Sequence, residues 1–495
     1  MLTVLPAIRG VWDDGGVAQN FVVVDREQLW LMPPSVDDWL PPDHLARFVV
    51  DVVDEFDLDA FVARYRDDGR GGAAYPPRMM VALLVYAYSL GELSSRRIQR
   101  QCVENVAFRF VAANLLPDHA TIARFRATHE VALAGLFGQV LALCAKAGMI
   151  RPGLLAVDGT KIKANASKAR NRTAEQLADD IVKAAGETDA AEDVEFGDDN
   201  GNELPEELRG PSRKRYLRKL LDELRADQAA NSFDEYLARR AAQEAATGKR
   251  LPGRAPSREA WERKHHGRQQ ANTTDPESRT IKERGGFVQG FNAQAVVTED
   301  QVVVAAEVTN DGSDFKLLQP MVKHAKKNLR KAGVKKRART VLADAGYFSA
   351  DNANMRGIEP LIAPGQTRHL RDVSEDEAER DQILKQVEAG EIDAGQAAEL
   401  LGLARGTVVD LLKRRRRGVP QSQTAAMIAK LDAPRGKRLY KKRSASVEPV
   451  FAQIKHNRKF RTFSRRGLAA VDSEWKLMTA THNLLKLWRT SLAAT

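Results

Sequence analysis

At 495 residues, with 43% hydrophobic residues and few aromatics, the chain is long enough for two or three cores and has the make-up of a helical or α/β protein. There are 77 Lys and Arg against 66 Asp and Glu, and the formal charge of +11 favours a polyanionic partner without specifying one. Cys102 and Cys144 are the only cysteines and lack CxxC spacing, which excludes a disulfide scaffold or a cysteine zinc site and fits a reducing cytoplasm.

The opening MLTVLPAIRGVWDDGG lacks a basic stretch followed by an apolar one, so no signal peptide is expected. Apolar residues recur at helical spacing in His44–Phe56, Pro77–Tyr88 and Val131–Ile150, making 1–150 an expected all-helical domain for DNA binding or dimerisation. Within it, Val131–Ala145 is uncharged but too short to span a bilayer, so a buried helix and no membrane partner are expected. Arg96, Arg97 and Arg100 lie along one stretch. Pro117–Asp118 reads as a helix start, followed by Arg124 and Arg126. These arginines are candidate DNA contacts; the alternative is a solvated helix face.

Leu154–Val157 is a short apolar strand ending in Asp158-Gly159-Thr160, read as a turn. Residues 171–270 read as a polar helical insertion. Its acidic stretch Glu187–Glu207 has no Lys or Arg and is expected to be a loop or disordered; Lys214–Glu244 reads as solvated helix and Gly248–Pro256 as a linker. Phe287–Val297 and Val302–Thr309 form a hairpin pattern, a helix is expected over Phe315–Ala332, and Thr340–Ala343 is a strand ending in Asp344-Ala345-Gly346-Tyr347. Glu359–Ala363 is a further strand. This order predicts an α/β sheet with carboxylates at the C-terminal ends of its strands.

A charged insertion spans 371–439. In it, IDAGQAAELLGLARGTVVDLLKRRRRG has helix-turn-helix spacing, with Ala398, Gly402, Val408 and Leu411 as the small, turn and core positions. Arg405, Gly406 and Thr407 would open the recognition helix, and Lys413 and Arg414, in the run to Arg417, would grip phosphates. The alternative is an ordinary helical hairpin.

Three carboxylates stand out. Asp158 and Asp344 occupy matching strand ends, although each alone is equally well read as a turn cap. Glu448 is the only acid among twelve Lys and Arg between Arg435 and Arg466; the bland reading is relief of local repulsion. Pro449 follows it, which predicts that Glu448 opens a helix, where the dipole favours the ionised form. Carboxylates are the hard ligands that phosphodiester chemistry with magnesium needs, ideally around two ions about 3.5–4 Å apart. His265, His266 and His456 read as solvated, and His482 as packed in a stripe of Leu468, Val471, Trp475, Met478, Leu485 and Trp488. Asp311 and Asp314 read as caps of the helix at Phe315. Trp475 and Tyr347 read as core rather than base-stacking residues.

Asp158-Gly159-Thr160-Lys161, Ala343-Asp344-Ala345-Gly346-Tyr347 and YKKRSASVEPVFAQIKHNRKFRTFSRRG together resemble, in order, the three blocks of DDE transposases of bacterial insertion sequences. The segments DHATIARFR and GGFVQGFNAQAVV extend the likeness over most of the chain. The resemblance implies an RNase H-like mixed-sheet catalytic domain of residues 151–170, 271–370 and 440–495, with helical insertions and the N-terminal helical domain beside it. It implies that Asp158, Asp344 and Glu448 bind two Mg²⁺ ions, or Mn²⁺, to cut and rejoin DNA. Tyr440, Arg443 and Lys455 match the Tyr, Arg and Lys of a signature around the glutamate and would hold phosphates. Four residues separate Arg443 from Glu448 where the better-known form has three. Implied partners are terminal inverted repeats, target DNA and a second copy of the chain, in a nucleoid-associated cytoplasmic protein. A transposase-derived regulator and a nuclease without strand transfer are the competing readings.

Overall fold

The computed structural model describes residues 36–65, 74–183, 211–230, 233–247, 257–259, 261, 270–283, 286–365, 377–416 and 421–493. Its helical first part runs from α1 (Leu45–Asp54) through α2 (Pro77–Leu90), α3 (Ser95–Glu104), α4 (Val106–Val111) and α5 (His119–Thr128) to α6 (Glu130–Lys146). Local sequence sets the helix starts. Pro77 occupies the first turn of α2, and Asp118 accepts from the Thr121 N–H at 2.8 Å to cap α5, as its position predicts. The uncharged stretch forms most of α6, which buries Leu133, Leu136, Phe137, Val140, Leu141 and Cys144. Among the described residues no single helix is long and apolar enough to cross a membrane.

The sheet begins with β1 (Leu154–Lys163); β2 (Asn171–Arg172) and β3 (Ala271–Asn272) form a separate two-stranded ribbon. β4 (Arg279–Glu283), β5 (Gly286–Thr298), β6 (Val303–Thr309), β7 (Thr340–Ala343) and β8 (Glu359–Ile362) complete a mixed sheet of order β4-β5-β1-β7-β8, with β6 also on β5. β1 runs antiparallel to β5 and parallel to β7, and β7 parallel to β8. The expected hairpin is present as β5 and β6. The end of the first strand is different from expectation. β5 pairs with β1 from Leu155 to Lys163, carrying the strand through Asp158-Gly159, which is no turn. Only the parallel side stops there, at Ala156 opposite Leu342.

The insertions are more ordered than their composition suggests. After α7 (Ala174–Lys183), α8 (Pro211–Ala230) precedes α9 (Phe233–Thr247). Leu217, Leu220, Leu221 and Leu224 of α8 are buried with Leu177 and Ala271, so α8 is amphipathic rather than wholly solvated. The acidic stretch and the linker lie outside the described residues. Beyond α10 (Leu318–Lys331), the second insertion contains α11 (Glu377–Ala389), α12 (Ala394–Leu400) and α13 (Arg405–Arg416), joined by their own small core.

The chain returns through α14 (Gln421–Asp432), α15 (Pro434–Tyr440) and α16 (Lys442–Ala452). A π-turn (Gln453–Asn457) and the long α17 (Leu468–Leu492) follow. α17 joins the two parts of the molecule. Trp475, fully buried, stacks on Phe451 and Phe460 and donates to the Gln294 carbonyl at 2.9 Å. Asn483 completes the β6 backbone at Val303 with bonds of 2.8 Å in each direction. One continuous core therefore runs from α1 to α17 through the sheet, so the N-terminal helices share their interior with it.

Candidate active site

Asp158 and Asp344 owe their proximity to strand register. β1 and β7 are parallel with Ala156 opposite Leu342, and continuing that register two residues sets 158 against 344, just past the end of β7. The Asp344 Oδ1 accepts from the Gly346 N–H at 2.8 Å, and the Asp158 Oδ1 from the Gly159 N–H at 2.8 Å. Asp158 is mostly buried. Burial, and then the nearby charge of Asp344, push its carboxyl up to about 6 even though Arg443 pulls the other way.

Arg443, near the start of α16, donates to the Asp158 Oδ2 at 3.2 Å and approaches the Glu448 Oε1 at 3.7 Å. The guanidinium thus stands between two of the three carboxylates. Tyr440 donates its hydroxyl to the Ala343 carbonyl at 3.1 Å, pinning the end of α15 against the strand that delivers Asp344. Lys455 donates to the Thr160 Oγ1 and the Lys161 carbonyl, both at 3.0 Å. Burial lowers its pKa below the usual lysine range.

Glu448 does not open a helix. It lies within α16, its side chain 60% exposed, and Pro449 is an interior proline. The carbonyl that Pro449 leaves without a donor is that of Ala445. Gln301, at the tip of the β5–β6 turn, donates its Nε2 to that oxygen at 3.0 Å, which lets the helix continue. Glu448 therefore gains nothing from a helix N-terminus. α16 packs on β1, and Arg443 lies between Glu448 and Asp158.

On the other side of β1 lies a polar network. The Asp314 Oδ1 accepts from Asn292 Nδ2 at 2.7 Å, Gln294 Nε2 at 2.9 Å and Lys161 Nζ at 3.5 Å. Gln294 also donates to the Asn292 Oδ1 at 3.0 Å and accepts from the Tyr347 hydroxyl. Gly159 is required here. A Cβ at that position would overlap the Gln294 amide nitrogen and stand 2.9 Å from the Asn292 Oδ1. Tyr347 is buried, and burial first, then the charges of Asp314, Asp158 and Asp344, raise its pKa well above the usual tyrosine range. Asp314 is no helix cap, contrary to expectation. α10 starts only at Leu318 without a side-chain cap, and Asp311 turns back on Ser313. The signal that finds Asp314 is the pair Asn292 and Gln294, alternate polar residues on the otherwise apolar β5.

The expected DNA contacts fare unequally. Arg405 and Arg124 are exposed, as are Arg96, Arg97 and Arg100. Arg126 is buried and unavailable to phosphate. Its guanidinium donates to the Leu93 carbonyl at 2.8 Å and to the Tyr88 and Ser464 hydroxyls, so it ties the N-terminal helices to the loop before α17. Thr407 is buried, its backbone N–H bonded to Ala404, so its side chain faces the core of the insertion rather than a groove. Lys413 and Arg414 lie on α13, and their side chains are outside the described residues. The two helices, the turn and their small core are present. Val408 and Leu411 are buried with Ala398, Asp393 and Gln396 form a capping box at α12, and Gly402 adopts the left-handed φ of +60° between α12 and α13. His482 is buried against the Gln301 carbonyl, where burial and then Arg458 hold it down at about 3.

Residues 34–128 match the family described as Transposase domain (DUF772), and residues 412–488 match the family described as Transposase DDE domain. Both matched families are described as transposase domains. Within that class they support the transposases of insertion sequences. The second range contains Tyr440, Arg443, Glu448 and Lys455; Asp158 and Asp344 lie outside both. No curated protein and no solved structure matches the chain.

The donor set suits a divalent cation in chemistry, since Asp158, Asp344 and Glu448 offer hard oxygens and Asp158 is under like-charge stress from Asp344. It is not a closed cage. Among the described residues no three such ligands are gathered closely enough to hold a metal, and Arg443 occupies the gap between Asp158 and Glu448.

Proposed function

We propose that this transposase cuts at the terminal inverted repeats of its element and joins the ends to target DNA, with Asp158, Asp344 and Glu448 as the ligands of two divalent cations in an RNase H-like sheet. Divalent cations held there would polarise the scissile phosphate and lower the pKa of the attacking water or 3′-hydroxyl. The observation that carries the reading is that Asp344 and Arg443 both act on Asp158 in the middle of β1, with Glu448 on the far side of Arg443.

Each chain residue has a task in this reading. Asp158 and Asp344 are each held by a neighbouring backbone N–H, from Gly159 and Gly346, and so would approach the cation with little reorganisation. Glu448, exposed and bonded only loosely to Arg443, turns inward to complete the set. Arg443 is the cation of the resting site, and its displacement toward DNA would couple phosphate binding to metal binding. Lys455, already partly desolvated, would donate to phosphate, and Tyr440 would do so on releasing the Ala343 carbonyl. Arg405, at the start of α13, would contact base edges, and Arg124 and the α3 arginines backbone phosphates; all are exposed. Two ends must be brought together, which favours a homodimer. The test is cleavage of the DNA that flanks the chain's own reading frame. Mg²⁺-dependent nicks at inverted repeats support the account, and binding without any cutting favours the regulator reading.

A further inference from the structure

We propose that Asp314 is a positioning residue of this site, supplying a fourth negative charge beside Asp344 and holding Lys161 away from it. The inference rests on the reading of Asp158, Asp344 and Glu448 given above.

Strand alternation frames the argument. Successive side chains of β1 point to opposite faces, so Asp158 and Thr160 share one face and Gly159 and Lys161 the other. Lys455 and α16 approach the first face, through Thr160 and Asp158. Asp314 approaches the second, through Lys161 and the β5 amides opposite Gly159 and Lys161. Asp344, at the tip of β7, is flanked from both sides. Against Gly346, the Asp344 Oδ1 and the Asp314 Oδ2 lie 3.0 and 3.4 Å from the place a Cβ would take, so the two carboxylates border one nook.

The Asp314 oxygens are used differently. All three partners of Oδ1 are donors. Oδ2 is left facing the Asp344 side. Among those partners Lys161 matters most. It is a mostly buried ammonium on the strand that carries Asp158, and its carboxylate partner is Asp314. Without the Asp314 carboxylate, Lys161 would be an unpaired cation on the Asp344 side of the sheet and would compete with the metal there. Asp314 thus does for Lys161 what a conserved outer carboxylate does for a metal-ligating group: it fixes the local charge and geometry.

The test uses Mn²⁺ titrated into the full chain without DNA, followed by calorimetry. Wild type should bind, and Asp158→Asn should not. Asp314→Asn should bind about tenfold more weakly, the lower range for loss of an outer partner. Asp314→Glu should stay near wild type. Adding Lys161→Met to Asp314→Asn should recover part of the lost affinity, which a merely structural role would not produce. Asp311→Asn, whose carboxylate is turned to Ser313, should leave binding unchanged. Wild-type affinity in Asp314→Asn, or no recovery in the double variant, overturns the proposal while leaving the site intact. Failure of Asp314→Asn to fold leaves the Asp314→Glu and Lys161→Met single variants, and Asp314→Glu binding as poorly as Asp158→Asn would overturn it too. Absence of Mn²⁺ binding by the wild type would instead remove the underlying reading of the three carboxylates, and this inference with it.

Discussion

Replacing Asp158 by Asn should make the metal-free protein more stable while abolishing its chemistry. Burial and Asp344 raise the Asp158 carboxyl from its ordinary 3.8 to about 6. A rise of roughly two pH units, at about 1.4 kcal/mol each, sets the cost of holding this group ionised in the fold near ~3 kcal/mol. The side chain is 19% exposed and its amide would lose the charged partner Arg443, so the expected gain is smaller, about 1–2 kcal/mol. The sign follows from linkage. A folded pKa above the unfolded one means that the native state keeps the proton longer. The cost is therefore absent below about pH 4, grows between pH 4 and 6, and is complete above that. Urea unfolding in EDTA should show Asp158→Asn ahead of wild type at pH 7.5 and level with it near pH 4. Added Mn²⁺ should stabilise the wild type and not the variant. An Asn variant equal to or weaker than wild type at both pH values would refute the reasoning, because Arg443 would then already compensate the charge in full.

Two further outcomes follow from the geometry. Gly159→Ala drives a methyl group into the buried Gln294–Asn292 amide pair, which should cost about 1–3 kcal/mol of stability by overpacking and lost hydrogen bonds. It should also weaken cleavage, since the same network borders Asp344; unchanged urea midpoints would show that the amides move aside freely. Arg405→Ala should reduce binding to the cognate end by about 1–3 kcal/mol while leaving random DNA nearly unaffected. Equal losses on both, read by fluorescence anisotropy at fixed salt, would make α13 a phosphate clamp rather than a reader of sequence.

How much was legible in the sequence depended on how local each determinant is. Asp118 as a cap, the uncharged α6, the β5–β6 hairpin and the Gly402 turn of the insertion are fixed by neighbours in the chain, and each is found where its pattern predicts. The continuation of β1 through Asp158-Gly159 was not legible, because the partner that extends it, β5, lies beyond a long insertion. Pro449 misdirected the reading of Glu448 for a similar reason. A remote glutamine, Gln301, satisfies the carbonyl that would otherwise end the helix. Arg126 looked like one more exposed arginine until Tyr88 and Ser464, far apart in sequence, enclosed it. The leucines of α8 recur at helical spacing, yet the charges around them dilute that signal in composition. Asp314 was the hardest to see. Its donors come from β1 and β5, and only the folded sheet brings Lys161, Asn292 and Gln294 to one oxygen.

The three carboxylates are tested most directly by the cleavage reaction itself, on DNA carrying the inverted repeats of the element. Asp158→Ala, Asp344→Ala and Glu448→Ala should each bind those ends as wild type does, release no 3′-hydroxyl in Mg²⁺ or Mn²⁺, and produce no joined product with target DNA. Cleavage at the wild-type rate by any one of them would contradict the account and take that residue out of the site.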